Sequence, residues 1–178
     1  MQCLYLLPHL THLDLSNSTN SSAGGINKCF PGIINSKITS LDISYLTELP
    51  GEEIHSLVES LSAPLVKFNA SETDIKSETI RTIMTTSRTS LTDLRLSWCD
   101  NLPITTILDL AFTFSSLTIL SLQCMEELHD ADAAVALEKL TALKRVNLNR
   151  CPLIGDDTMR SLARNCPYLV EVHVDWVS

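Results

Sequence analysis

Large apolar residues recur at the first, fourth and sixth places of a repeating unit, as in Leu91, Leu94, Leu96 and in Leu143, Val146, Leu148. Two-residue alternation after the opening residue predicts a short strand with one buried face. Seven such units begin at Leu10, Ile38, Leu65, Leu91, Leu117, Leu143 and Leu169, and the last five starts are 26 residues apart. The ninth place reads Ser18, Leu46, Thr73, Cys99, Met125, Cys151 and Val177, which predicts a buried post under the turn that leaves each strand. Sixteen residues after the opening position the spacing becomes helical: Ile54, Leu57, Val58, Leu61; Ile107, Leu110, Ala111, Phe114; Ala133, Ala136, Leu137, Leu140; Met159, Leu162, Ala163, Cys166. Each set is one apolar face of a short helix. The third unit keeps only Ile80, Ile83 and Met84, so its helix is expected to pack least well.

Helix starts carry acids, in Gly51-Glu52-Glu53, Asp130 to Asp132 and Asp156-Asp157, where carboxylates cap backbone donors and oppose the helix dipole. Pro8, Pro64 and Pro167 precede strand openings and stop the preceding element. Residues 17–37 hold an Asn/Ser/Thr tract, Gly24-Gly25 and Pro31-Gly32, and are expected to form a loop or a frayed helix. A repeat of this length predicts a solenoid in which each unit completes its neighbour's core. Right-handed crossovers then give one parallel sheet with helices on its other side. Helices are about 10 Å wide and strands are about 4.8 Å apart, so the stack bends with the sheet on its concave side.

Composition narrows this picture. An unbroken repeat makes residues 1–178 one elongated α/β domain, and its ends read as those of a fragment without polar end caps. Apolar residues make up 44% and aromatics 5%, ample aliphatic material for a core running the whole length. A net charge of -8 argues against broad nucleic-acid binding. The six cysteines lie without a recognisable secretory leader, and Cys99 and Cys151, two repeats apart, are about 10 Å from each other, too far to bridge. Reduced core thiols and a cytoplasmic or nuclear location are therefore expected. On the same ground the triplets at Asn17, Asn20 and Asn69 are read as chance matches to a glycosylation signal. No apolar run approaches the ~20 residues of a membrane span.

The stretch from Cys151-Pro152-Leu153-Ile154-Gly155-Asp156-Asp157 to Leu162-Ala163-Arg164-Asn165-Cys166-Pro167-Tyr168-Leu169 resembles the cysteine-containing leucine-rich repeat of F-box proteins, and so does Leu91 to Cys99. Leu46, Met125 and Val177 stand where that family carries cysteine. The front end, Leu7-Pro8-His9-Leu10-Thr11-His12-Leu13-Asp14-Leu15-Ser16-Asn17, also looks like repeats of the Zyg-11 family. The resemblance implies a right-handed leucine-rich-repeat horseshoe that serves as the substrate-binding half of a cullin-type ubiquitin-ligase receptor. It implies an adaptor bound through a separate box, which these residues do not contain.

The third, fifth and seventh places of each strand are expected on the concave face. The eighth place, at the rim, runs Asn17, Tyr45, Glu72, Trp98, Cys124, Arg150 and Trp176. Trp and Arg supply much of the energy of protein interfaces, so Trp98, Cys124, Arg150 and Trp176, with Arg95, Arg145, Asn147 and His173 beside them, form the expected protein-binding patch. The alternative is that the Trp residues only cover loop edges and the arginines are solvated. Asp14 and Asp42 occupy equivalent places on adjacent strands, a spacing that can raise one carboxyl's pKa for acid–base work, but two screened surface acids are the simpler reading. His129, Cys124 and Cys151 follow the repeat rather than a close metal-ligand spacing. No nucleophile has an identifiable base, and no glycine-rich loop suits a phosphate. The expectation is a protein-recognition module without enzyme activity, cofactor or metal, with a regulatory or inhibitory repeat scaffold as the alternative.

Overall fold

The computed structural model describes residues 7–18 and 36–175. Seven three-residue strands form one sheet: β1 (His12–Asp14), β2 (Ser40–Asp42), β3 (Lys67–Asn69), β4 (Asp93–Arg95), β5 (Ile119–Ser121), β6 (Arg145–Asn147) and β7 (Glu171–His173). Every neighbouring pair is parallel and the spatial order equals the chain order. Five helices lie among the described residues: α1 (Gly51–Glu59), α2 (Ser77–Thr86), α3 (Ile104–Thr113), α4 (Asp130–Leu137) and α5 (Asp156–Asn165). The molecule is a right-handed leucine-rich-repeat solenoid, with the sheet on one side and the helices on the other. The expected loop at 17–37 lies almost entirely outside the described residues, as do Cys3, Cys29, Trp176 and Val177.

The core follows the repeat. Fourth and sixth places such as Leu41, Ile43, Phe68, Leu94, Leu96, Val146 and Leu148 are buried, and opening residues Ile38, Leu65, Leu91, Leu117 and Leu143 seal the other end of the same layer. The ninth-place posts Leu46, Thr73, Cys99, Met125 and Cys151 are buried as expected, while Ser18 is half-buried. In the third unit Ile80 and Ile83 are fully covered. Its pattern looked weak because α2 begins twelve residues after Leu65, whereas the other helices begin thirteen residues after their opening residue.

Two expectations need correction. The outer half of the last helical face is bare, since Met159 and Ala163 of α5 are exposed while Thr158, Ser161, Leu162 and Cys166 are buried. The equivalents in α3, Ile107 and Ala111, lie under α4; on α5 the inner half packs against α4 and the described residues put no helix over the outer half. The helix-start acids also do not cap their own helices, because none of the five N-caps makes a side-chain hydrogen bond. Asp130 reaches instead to the next unit, where its Oδ2 accepts from Asp157 N at 3.0 Å and its Oδ1 from Thr158 N at 2.8 Å.

Candidate functional site

Where each strand ends, the chain turns through a left-handed residue. Asn17, Tyr45, Glu72, Trp98, Cys124 and Arg150, the whole described rim row, have φ between 55° and 63°, and none is glycine. Such a conformation costs an L-residue about 1 kcal/mol. The turn aims the rim N–H along the stack: Asn17 N donates to Ser44 O, Tyr45 N to Ser71 O, Glu72 N to Ser97 O, Trp98 N to Gln123 O and Cys124 N to Asn149 O. Backbone pairing thus continues past the short strands, and the rim side chains are thrown outward at one spacing.

Fifth and seventh places close on each other. Asp14, Asp42 and Asn69 each accept both the backbone N–H and the hydroxyl of the serine two residues later, Ser16, Ser44 and Ser71. Arg95 cannot accept, so Ser97 pairs with the Ser121 hydroxyl at 2.7 Å. This explains why Ser44 and Ser97 are buried although their places face away from the core. Asn69 also donates its amide to Asp42 Oδ2 at 2.9 Å, so its side chain is engaged within the sheet. The serine donors hold the Asp14 carboxyl below its ordinary pKa, the opposite of what an acid–base pair with Asp42 requires.

The ninth-place cysteines have a local reason too. Cys99 Sγ donates to Ala70 O at 3.2 Å and Cys151 Sγ to Leu122 O at 3.1 Å, in each case the sixth-place carbonyl of the preceding unit. Burial pushes the Cys99 thiol up to about 12, so it stays protonated and unreactive. Cys99, Cys124, Cys151 and Cys166 are all free.

The structure divides the expected patch into two groups. Trp98 and Arg150 come together although two units apart, with the guanidinium 5.8 Å from the ring centroid, within cation–π range. Trp98 stays 39% exposed, so the pair has a free face. Cys124, expected as a contact residue, is buried at 5% exposure between them, and its thiol is pushed up by burial against the opposing pull of Arg150. It is a floor for the pair. Tyr45 extends the exposed rim row toward the first units.

The second group lies on the strands and is paired internally. Arg95 binds Asp93 through Nε at 3.0 Å and Nη2 at 3.2 Å. Arg145 Nε meets Glu171 Oε2 at 2.9 Å, and His173 Nε2 meets Glu171 Oε1 at 2.6 Å. Asn147 accepts from Asn149 N and donates to Gln123. These residues are exposed or half-buried, but their charges and dipoles are largely balanced. Trp176 lies outside the described residues.

A cleft of about 210 Å³ on the concave face over β2 to β4 is lined by Ser40, Asp42, Lys67, Asn69, Asp93 and Arg95 among others, of which the expected patch takes in Arg95 alone. Its signal in the sequence is the Asp93-Leu94-Arg95 triplet, opposite charges two residues apart and therefore on one face of a strand.

No protein-family model and no curated protein matches the sequence. Among solved structures, the crystal structure of the Rad7 and Elc1 complex in yeast contains a chain similar to this one, with a TM-score of 0.58 and 16% sequence identity. The likeness covers 93% of this chain and 56% of that one, so this chain spans little more than half the length of its structural neighbour. At that identity the two share a fold, the same stack of parallel strands and outer helices derived above from the repeat.

Proposed function

We propose that this protein is a non-catalytic recognition module, the substrate-binding repeat region of a cullin-type ubiquitin-ligase receptor, gripping a protein through its inner sheet and rim. The observation that carries the recognition reading is the Trp98–Arg150 pair, with the guanidinium 5.8 Å from the indole ring centroid on a left-handed rim. The rim turn serves the stack through its backbone N–H groups, a task that does not need an exposed Trp or Arg side chain, whereas desolvation of these two side chains is a large source of interface energy. The ligase reading is supported by the cysteine-bearing repeats around Cys99 and Cys151, which resemble those of F-box receptors. It is supported also by a structural neighbour whose crystal contains a second protein, Elc1.

The test is quantitative affinity purification of the tagged protein and of Trp98→Ala and Arg150→Ala variants. Each variant is expected to lose the specific partner by about tenfold or more, and the captured partner is expected to be ubiquitinated in cells in a manner that depends on this protein. Unchanged partner recovery would remove the rim from the reading. A specific partner whose ubiquitination does not depend on this protein would favour the regulatory-scaffold alternative.

A further inference from the structure

Four carboxylates of the concave face already hold hydrogen-bond or ion-pair partners. Asp14 is held by Ser16; Asp42 by Ser44 and Asn69; Asp93 by Arg95; Glu171 by Arg145 and His173. On the same face Lys67 is exposed, and its ammonium group makes no ion pair or hydrogen bond among the described residues. It sits in β3 directly opposite Ser40 on one side and Asp93 on the other, inside the cleft over β2 to β4.

Arg95 shares that cleft in a fixed pose. Asp93, whose side chain is only 10% exposed, grips one edge of the guanidinium through Nε and Nη2, while Nη1 has no partner among the described residues and the Arg95 side chain is 47% exposed. A guanidinium anchored by a buried carboxylate loses little rotamer freedom when it takes a further acceptor. Asp42 lies near enough to stabilise the Arg95 charge, but its own oxygens already accept three hydrogen bonds. An incoming cation would therefore meet Lys67 and find each carboxylate occupied, while an incoming anion finds two unfilled donor groups.

We propose that this cleft takes one carboxylate side chain, a Glu or Asp of the bound protein, between Lys67 Nζ and the free edge of the Arg95 guanidinium. The site lies on a continuous sheet, with β1 on one flank and β5 to β7 on the other, so a chain laid along the concave face passes over it and presents a side chain there rather than its end. This inference rests on the recognition reading, but it concerns a different surface from the rim.

The test is titration of the full chain, followed by NMR of the Lys67 and Arg95 side chains, with three N-acetylated tripeptides. They are acetyl-Ala-Glu-Ala-amide, its Gln counterpart, and acetyl-Ala-Gln-Ala with a free C-terminal carboxylate. The Glu peptide is expected to saturate shifts at both side chains in the millimolar range, with the Gln amide about tenfold weaker. Lys67→Ala should remove that preference and Lys67→Arg should keep it; both changes are at an exposed position, and an unchanged amide spectrum confirms folding. Equal shifts from Glu and Gln peptides, a preference that survives Lys67→Ala, or tighter binding of the free C-terminal carboxylate would each overturn the proposal. None of those results touches the rim, where loss of partner on Trp98→Ala tests recognition separately.

Discussion

Each unit joins its neighbours on two sides, where helices begin and where strands end, and the two sides treat their polar groups in opposite ways. At the helix entries, carboxylates reach between units and are filled. Asp130 of the fifth unit receives two backbone N–H groups of α5, and Thr158 Oγ1 donates back to Asp130 O at 3.2 Å. Asp74 receives Gly51 N from the unit before, Lys76 Nζ from its own and Asn101 Nδ2 from the unit after. At the strand exits, backbone is held in a costly conformation and the side chains of Tyr45, Trp98 and Arg150 above it are left open. The helix-entry carboxylates are thus spent within the stack, while the strand exits join units through backbone and leave rim side chains that gain from a partner.

The sharpest way to break that division is to damage a helix entry and ask whether only stability suffers. Gly51 has no room for a side chain, because a Cβ there would stand 2.5 Å from Asp74 O and 2.6 Å from Lys76 Cγ. A backbone carbonyl cannot swing away as a side chain can. Gly51→Ala is expected to cost about 1–3 kcal/mol, read as a lower urea midpoint, while the Trp98 indole fluorescence of the folded protein stays unchanged.

Asp130 comes next. Burial alone would raise its carboxyl, but donors from Thr158, Gly155 and Asp157 outweigh that effect and hold it at about 2. Asp130→Ala should cost about 1–2 kcal/mol at neutral pH, the usual range for a lost helix cap, and Asp130→Asn should cost less because one acceptor remains. The folded pKa lies below the unfolded value of about 3.9, so this stabilisation is complete above pH ~4 and is lost as pH falls toward 2. The gap in urea midpoint between the native chain and Asp130→Ala should therefore narrow between pH 4 and pH 2. A gap that stayed constant would mean that the carboxylate's charge contributes nothing at this joint.

Sequence pattern carried the repeat, the strand register and most helical faces, because burial in a stack imposes the same spacing on every unit. It could not carry features that depend on what a neighbour does. Asp130 reads as an acid in the first turn of its own helix, yet its side chain belongs to α5; Gly155 shows the closeness of that approach, since a Cβ there would lie 2.8 Å from Asp130 Oδ2. Met159 and Ala163 have the right spacing, but exposure depends on what covers them. On the binding side, the rim row placed Trp98 and Arg150 together because both follow the period. The pairing of Arg95, Arg145 and His173 with acids was not visible, since it turns on rotamers rather than spacing. Left-handed backbone at six non-glycine positions was equally hidden, because the residue types give no sign of it.

That hidden strain provides the finest test of the comparison. Trp98 has φ 60°, where glycine is at ease and alanine is not. Truncation to Ala removes the indole and keeps the backbone cost, whereas Trp98→Gly removes both. In an ordinary loop, glycine is the less stable of the two because its unfolded state is freer, so the expected order is inverted here. Trp98→Gly should be more stable than Trp98→Ala by about 1 kcal/mol in urea unfolding, while both lose the partner equally. If the alanine variant were the more stable, the rim turn would not be strained, and the backbone pairing between units at Trp98 would carry no conformational cost.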